Sequence, residues 1–254
     1  AQGQVDVCHL IIFRLKVDNT DVIDINTRDN INQTPLHLAA MSNQKEVWQF
    51  IADTVEDKNP EEDINPKDKT GWTPLHLAAA KGHLEMCQTI VSRLVDRKFT
   101  DFNPKDDKGS TPFHLAAKLG HLEICRLIIN ALIINKVEEI NPRDNINKTP
   151  LHQAALFGQT ETWKFIADTI EDKIPEGDIN PEGTGGRTPL HLAAASGHLE
   201  TCKVIINKIK DINPRDDNQT PFLKAVVYGH RELAKFIADQ LPQVDINPKG
   251  HYIR

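Results

Sequence analysis

The chain has 254 residues and a formal net charge of −6 at pH 7. This modest acidity argues against nucleic-acid binding, because nucleic-acid-binding domains present a strongly basic face. The sequence contains no apolar run of about 18 residues and no signal-peptide pattern, so we expect neither a membrane-spanning segment nor a signal peptide.

The first predicted element is an amphipathic helix within residues 1–28. Its segment Gly3–Cys8 aligns with Gly120–Cys125, which belongs to the second helix of a two-helix unit that recurs along the chain. Because the first helix of that unit has no counterpart here, we expect residues 1–28 to be a partial unit, either a piece of a longer array or an atypical first unit. The apolar residues recur at helical spacing: Val5, Cys8, Ile11, Ile12 and Leu15.

A Thr-Pro-Leu-His phrase begins the next element and then returns throughout the chain. Its prolines are spaced by 39, 38, 38, 39 and 32 residues, and a period of this size indicates a repeat array. Threonine is a favourable N-cap and proline fits the first helical position, so each phrase predicts the start of a short helix. The copies begin at Thr34, Thr73, Thr111, Thr149 and Thr188, with a degraded Thr220-Pro221-Phe222-Leu223.

A Gly-His pair follows most of these phrases and is predicted to end the short helix and begin a longer one. It occurs as Gly82-His83, Gly120-His121 and Gly197-His198. The whole pattern, Asp-x-x-Gly-x-Thr-Pro-Leu-His-x-Ala-Ala-x-x-Gly-His, resembles the ankyrin repeat, with five strong copies in register. The resemblance implies an all-α repeat solenoid of helix-turn-helix units joined by β-hairpin-like loops, about six repeats plus partial terminal units.

We expect a single domain over residues 1–254. Its predicted parts are a partial repeat at 1–28, repeats at 29–67, 68–105, 106–143, 144–182 and 183–215, and a degraded repeat with the start of a cap at 216–254. A super-period of 115 residues relates Pro35 to Pro150 and Pro74 to Pro189, which indicates that a three-repeat block was duplicated. The repeats exceed the usual 33 residues, and we expect the extra residues to add one helical turn and an acidic loop such as Asp57–Asp63.

The cysteines and two tryptophans share one position in the second helices. Equivalent positions lie about a layer apart, too far for a disulfide, so we expect buried free thiols in a reducing compartment, cytoplasmic or nuclear. Where tryptophan replaces cysteine, the branched residue four positions later becomes alanine, which predicts a buried and compensated pair. The residues are Cys8, Cys87, Cys125 and Cys202, and the pairs Trp48 with Ala52 and Trp163 with Ala167.

Each hairpin tip has one position occupied by glycine or asparagine, the residues that tolerate positive φ. These are Asn32, Gly71, Gly109, Asn147, Gly186 and Asn218. The loop Gly183–Arg187 resembles a phosphate-binding loop in composition alone, and we interpret it as a hairpin tip. The regular histidines are expected to bond the capping threonine and the preceding hairpin instead of a metal: His37, His76, His114, His152 and His191.

In the ankyrin family, partner proteins bind the concave face, which the hairpin tips and the exposed sides of the first helices form. Apolar side chains stand there at positions where the fold needs none, although about half of them could instead pack sideways onto neighbouring repeats: Ile31, Met41, Trp72, Leu119, Ile146, Leu156, Phe157 and Tyr228, with Arg187 at a tip. A basic residue also precedes most hairpin aspartates, either as a common feature of such repeats or as a ladder that steers an acidic or extended peptide: Arg28, Lys67, Lys105, Arg143, Arg215 and Lys249.

We therefore expect a monomeric, non-enzymatic scaffold that binds a protein or peptide segment on its concave face, with no cofactor, metal, nucleic acid or membrane. The alternative is the recognition arm of a larger multidomain enzyme or channel. Catalysis or small-molecule binding would need a deep apolar pocket with convergent titratable groups, which the sequence does not predict. The resemblance also implies that asparagines before the hairpins are candidate hydroxylation substrates: Asn65, Asn103 and Asn141.

Overall fold

The computed structural model describes residues 25–59, 61–97, 101–137, 139–174, 177–217 and 219–241. Across these ranges it contains twelve α-helices and one 3-10 turn, and no strand, so the predicted all-α repeat architecture is confirmed. Several predictions concern residues outside these ranges: most of the N-terminal partial unit with Cys8, the tip residue Asn218, and the C-terminal cap with Lys249.

Short and long helices alternate along the chain. They are α1 Pro35–Met41, α2 Lys45–Lys58, α3 Pro74–Lys81, α4 Leu84–Asp96, α5 Pro112–Leu119, α6 Leu122–Ile134, α7 Pro150–Leu156, α8 Thr160–Lys173, α9 Pro189–Ala195, α10 Leu199–Ile206, α11 Pro221–Val227 and α12 Arg231–Gln240, with the 3-10 turn at Thr184–Gly186 before α9. The odd-numbered helices are the first helices of the repeats and the even-numbered ones are the second helices.

The threonine and proline of each phrase begin the first helices as predicted. Thr73 has extended backbone and its hydroxyl accepts a hydrogen bond from the N–H of His76, while Pro74 takes the first helical position. Gly82 then ends α3 with a left-handed φ of 75°, and His83 is the N-cap of α4. Glycine suits this position because a side chain would be strained at positive φ.

The chain forms two compact units, each with its own packing. Unit 1 comprises Ala1–Phe113 and Arg126–Val137, and unit 2 comprises His114–Cys125 and Glu138–Arg254. In unit 1, α1 packs against α3 and α2 packs against α4. In unit 2, α7 packs against α9 and α9 against α11, while α10 packs against both α8 and α12. Within each unit, first helices therefore pack on first helices and second helices on second helices.

The difference in repeat length lies almost entirely in the second helix. Proline spacings of 39, 38, 38, 39 and 32 residues accompany second helices of 14, 13, 13, 14 and 8 residues. The remainder of each repeat is the same to within one residue. The expected added turn is present, but the loop that follows is not lengthened: residues 59–63 and 207–211 have equal length before Ile64 and Ile212.

The core positions read from the sequence are buried. Trp48 and Trp163 are almost completely buried, and so are their partners Ala52 and Ala167. The described cysteines are free and buried, as predicted: Cys87, Cys125 and Cys202. Burial raises the pKa of the Cys87 and Cys202 thiols to about 12, because the thiolate loses its hydration in an apolar core.

The 115-residue super-period reappears as two equivalent ion-pair clusters. In unit 1, the Arg93 guanidinium pairs with Asp53 and Glu56. In unit 2, the Lys208 ammonium lies 2.7 Å from Asp168 and 2.5 Å from Glu171. Each member of the second cluster follows its counterpart by 115 residues, which supports the duplication inferred from the proline spacing.

Candidate functional site

In five of the six described hairpins, an aspartate at the start builds the tip. One carboxylate oxygen of Asp68, Oδ1, accepts hydrogen bonds from the N–H groups of Thr70 at 2.8 Å and Trp72 at 3.0 Å. Asp29, Asp106 and Asp144 accept the two equivalent bonds, and Asp216 accepts one from Gln219. The predicted positive φ is confirmed at the described tip positions: Asn32, Gly71, Gly109, Asn147 and Gly186.

Backbone hydrogen bonds join neighbouring tips within each unit. In unit 1, the N–H of Lys69 donates to the carbonyl of Ile31 at 3.0 Å, and the N–H of Asp107 donates to that of Thr70 at 3.1 Å. In unit 2, Thr184 donates to Ile146 at 3.3 Å and Asp217 to Gly185 at 3.1 Å. The tips of each unit therefore form a connected row that presents its side chains together.

The second carboxylate oxygen of two hairpin aspartates is bonded by the preceding hairpin. Gln33 Nε2 donates to Asp68 Oδ2 at 3.4 Å, and Trp72 Nε1 donates to Asp106 Oδ2 at 3.1 Å. Trp72 is half-buried and also stacks near His76, with ring centroids 6.0 Å apart. This predicted binding residue therefore also holds two hairpins together, and its indole is only partly available to a partner.

The repeated histidines are structural, but one of their predicted partners was wrong. The Nδ1 atom of His152 lies 3.1 Å from the backbone nitrogen of Thr149, the expected bond to the capping threonine. Its Nε2 atom lies 3.0 Å from the carbonyl oxygen of Arg187, in the hairpin that follows the helix instead of the one that precedes it. The bond of Nδ1 to the backbone at the helix start fixes the orientation of the ring, so that Nε2 points toward the following repeat. The same pairs occur for His37 with Trp72, His76 with Ser110, His114 with Lys148 and His191 with Gln219.

Burial favours the neutral form of four of these histidines, His37, His76, His152 and His191. It lowers the pKa of His76 and of His152 from 6.5 to about 4, because a buried imidazolium would lose its hydration. In His76 and His152, Nδ1 accepts from a backbone N–H, so the ring proton is on Nε2 and is donated to the carbonyl of the next hairpin. Across the described residues, no group of three or more His, Cys, Asp or Glu side chains is positioned to hold a metal ion.

Most of the predicted apolar contact residues are exposed, and they fall into both units. Ile31 and Met41 are exposed in unit 1; Leu119, Ile146, Phe157 and Tyr228 are exposed in unit 2, and Leu156 is half-buried. Arg187 is exposed at its tip. Phe157 and Tyr228 are the residues that directly follow α7 and α11, so they lie at the same end of helices that pack in one layer. The Lys118 ammonium lies 4.9 Å from the centroid of the Phe157 ring.

The predicted basic residues within the described ranges are all exposed, but several bind the protein's own backbone. Arg28 Nη1 donates to the carbonyl of Lys67 at 3.0 Å, and Lys67 Nζ donates to that of Lys105 at 2.7 Å. In unit 2, Arg143 Nη1 donates to the carbonyl of Glu182 at 2.7 Å. These side chains link a hairpin to the one that follows it, a role that the sequence did not indicate. Lys105 and Arg215 are exposed as well.

Two of the asparagines that are candidates for hydroxylation bond the first helix that follows them. Asn65 Oδ1 accepts from the N–H of Leu75 at 3.0 Å, and Asn103 Oδ1 accepts from that of Phe113 at 3.1 Å. These bonds use donors that a helix start leaves without a partner. Hydroxylation of Asn65, Asn103 and Asn141 stays a prediction.

Two further features were missed at the level of sequence. A groove of about 620 Å³ lies on the second-helix side of unit 1, lined in part by Trp48, Val95 and Ile134, whose side chain is 75% exposed. A pocket of about 290 Å³ lies at the hairpin of Gly183 in unit 2. Ile134 is an apolar residue outside the apolar column of its helix, and this position is the sequence signal that could have indicated the groove.

A family model described as "Ankyrin repeats (3 copies)" matches residues 1–96, 88–175 and 172–249. No curated protein is significantly similar to the chain. None of the helices among the described residues is long and apolar enough to span a membrane.

Proposed function

Because the chain belongs to the ankyrin-repeat family, we propose that it is a non-enzymatic scaffold that binds a segment of a partner protein on the surface of its hairpin tips and first helices, the concave face of such arrays. Ankyrin repeats are generally protein–protein interaction modules. A family likeness does not define the partner, so the proposal depends on which side chains this chain exposes.

One observation carries the proposal: large apolar side chains are exposed at a hairpin tip and at the ends of two first helices in unit 2. Ile146 at a tip is 53% exposed, and Phe157 and Tyr228 at the helix ends are 43% and 61% exposed. Val226 and Val227 are exposed beside Tyr228. Apolar side chains gathered on a surface usually mark an interaction site, and aromatic residues are favoured as the anchors of an interface.

The mechanism that we propose is capture by a pre-organised surface. The tip aspartates, the inter-hairpin bonds and the buried histidines all hold the binding side of each repeat in one conformation. A surface that is already ordered loses little conformational entropy when a partner binds. The exposed basic residues, Arg28, Lys67, Lys105, Arg143 and Arg215, would add attraction for an acidic or extended segment.

The test is capture of partners from lysate by the unaltered protein and by a variant carrying Phe157→Ala and Tyr228→Ala. Both side chains are substantially exposed, so the variant is expected to unfold at nearly the same temperature. A matched control is Ile134→Ala, which removes an exposed apolar side chain from the second-helix side. Loss of the same protein with the double variant alone supports the proposal. Loss with the Ile134 variant alone contradicts it and assigns binding to the second-helix groove.

A monomeric state and a reducing compartment, cytoplasmic or nuclear, remain part of the proposal. The buried free thiols of Cys87, Cys125 and Cys202 support the compartment, because proteins of oxidising compartments tend to pair their cysteines. Light scattering over a range of protein concentrations tests the monomer, and fluorescence microscopy of the tagged protein tests the compartment.

A further inference from the structure

Among the described hairpins, that of Gly183 lacks the aspartate that builds the others. Gly183 occupies the position that Asp29, Asp68, Asp106, Asp144 and Asp216 take in the other hairpins. The backbone bond at the base of the hairpin is retained, since the N–H of Gly183 donates to the carbonyl of Arg187 at 2.8 Å, like the N–H of Asp68 to that of Trp72. The hairpin is therefore formed without its carboxylate.

The donors that usually meet this carboxylate are still in place. In an aspartate hairpin they are the N–H groups two and four residues after the aspartate, as Thr70 and Trp72 are to Asp68. In this hairpin they belong to Gly185 and Arg187, and in the described part of the chain neither of them donates to a side chain. The missing oxygen atom is thus not replaced by another side chain of the hairpin.

The preceding hairpin also offers a donor at this point. Gln33 and Trp72 donate from their tips to the second oxygen of the next aspartate. Lys148 is the equivalent residue for the hairpin of Gly183, and its ammonium forms no ion pair with any residue in the described ranges. Among the described hairpins, the one that Lys148 faces is therefore the one that lacks the aspartate.

A pocket of about 290 Å³ lies at this point, lined by Gly183, Gly185, Lys148, His152, Arg187 and Asp217, with apolar contributions from Ile146 and Leu192. His152 is already bonded through both ring nitrogens, to Thr149 and to the carbonyl of Arg187. Two cationic side chains, Lys148 and Arg187, therefore line the pocket together with one carboxylate, that of Asp217.

A carboxylate near Arg187 but outside the pocket lining, that of Asp216, is already paired with another cation. Arg187 Nε lies 4.0 Å from Asp216 Oδ2, and the same oxygen lies only 2.8 Å from the ammonium of Lys224. The charge of Asp216 is therefore balanced mainly by Lys224. With two cations and one carboxylate in its lining, the pocket favours an anion.

We propose that this pocket binds a carboxylate, the side chain of an aspartate or glutamate in the bound partner segment. The incoming carboxylate would take the place of the hairpin aspartate, with the N–H groups of Gly185 and Arg187 on one oxygen and the Lys148 ammonium on the other. Charge-assisted bonds of this kind are stronger than bonds between neutral groups. This inference rests on the proposed function, because the carboxylate belongs to the bound partner segment. The exposed side chain of Ile146 also lines the pocket and would be the apolar anchor beside the carboxylate.

The test is an NMR titration of the whole chain with the blocked amino acid N-acetyl-aspartate N-methylamide, with its asparagine counterpart as the neutral probe. We expect saturable shifts of the Gly185 and Arg187 amide signals in the millimolar range, and an affinity for the neutral probe weaker by about tenfold. Equal responses to the two probes, or no response at these amides, would overturn the proposal.

Two variants sharpen the experiment. Gly183→Asp supplies the carboxylate in the chain, and we expect it to abolish the saturable response. The backbone of Gly183, with φ −91° and ψ −165°, suits any residue, but a Cβ would lie 3.1 Å from the Arg187 carbonyl oxygen and 3.2 Å from His152 Nε2. The Gly183→Asp variant therefore requires a small shift of its neighbours, and a second variant, Lys148→Met, avoids this. It is expected to weaken binding of the probe about fivefold without filling the pocket. Unchanged affinity in a folded Lys148→Met variant would contradict the assignment of the lysine.

The matched control is Lys108→Met, at an exposed tip whose hairpin has its aspartate. It is expected to leave the titration unchanged. Because the probe is a single blocked residue, the result does not depend on any protein partner. If the probe binds but lysate capture fails, the proposed scaffold function is at fault; if capture succeeds but the probe does not bind, only the carboxylate pocket is wrong.

Discussion

The indole nitrogen of Trp72 donates a hydrogen bond to Oδ2 of Asp106, 3.1 Å away in the next hairpin. Asp106 is buried, and its other oxygen already accepts from the N–H groups of Lys108 and Ser110. The tryptophan thus completes the hydrogen bonding of a buried carboxylate. A side chain selected as a binding anchor from its position in the sequence is also part of the bond between two repeats.

Replacing Trp72 with phenylalanine is expected to lower the free energy of unfolding by about 1–3 kcal/mol, since a buried charged acceptor loses one donor while most of the ring contact remains. Urea unfolding followed by circular dichroism measures the change. Tyr228→Phe is the control, because its ring is exposed and should cost much less. A stability equal to that of the unaltered protein would show that water replaces the indole without cost.

The tryptophan–alanine pairs give a test of core complementarity. Ala167→Ile alone overfills the space beside Trp163 and is expected to cost about 1–3 kcal/mol of stability. Trp163→Cys alone leaves a cavity and is expected to cost more, about 3–5 kcal/mol. The double variant reproduces the pair Cys202 with Ile206 and should cost clearly less than the sum of the two. Strict additivity in this double-mutant cycle would contradict the compensation.

Stability is expected to fall as the pH drops below about 6.5. Burial lowers the pKa of His76 and His152 to about 4, so the folded chain binds fewer protons than the unfolded chain between these values. Each histidine therefore contributes stability that is fully present above pH 6.5 and is lost as the pH falls toward 4, by at most about 3 kcal/mol.

The measurement is the unfolding free energy between about pH 5.5 and 7, a window in which most carboxylates do not titrate. A His152→Gln variant is the comparison, and its slope against pH is expected to be smaller than that of the unaltered chain. Equal slopes would mean that His152 titrates alike in the folded and unfolded states.

The buried cysteines are expected to resist thiol reagents in the folded protein. Burial raises the pKa of Cys87 and Cys202 to about 12, so little thiolate forms and access is blocked. After exposure to iodoacetamide at about pH 8, near the pKa of a free thiol, peptide mass spectrometry should find Cys87, Cys125 and Cys202 unmodified. The same treatment in guanidinium is the control and should modify all of them. Rapid labelling of the native protein at any of these positions would contradict their burial.

Features that depend on a few neighbouring residues were readable from the sequence. The threonine cap, the proline start, the positive φ at Gly71 and the burial of Trp163 follow from local backbone chemistry and from one helical period. Six of the predicted apolar contact residues are exposed, because a position within a repeat predicts whether a side chain faces the core. Other exposed apolar residues were not predicted: Leu38, Val95, Ile134, Val226 and Val227. Repetition strengthened each of these predictions, since several copies carried the same signal.

The contacts between repeats were not readable in this way. His152 Nε2 bonds the following hairpin, and Arg143 bonds the carbonyl of Glu182. Each depends on how far and at what angle the next repeat lies, which no short stretch of residues specifies. The pocket at Gly183 is the clearest case: its glycine is visible in the sequence, but the unused N–H groups and the facing lysine come together when two hairpins pack side by side.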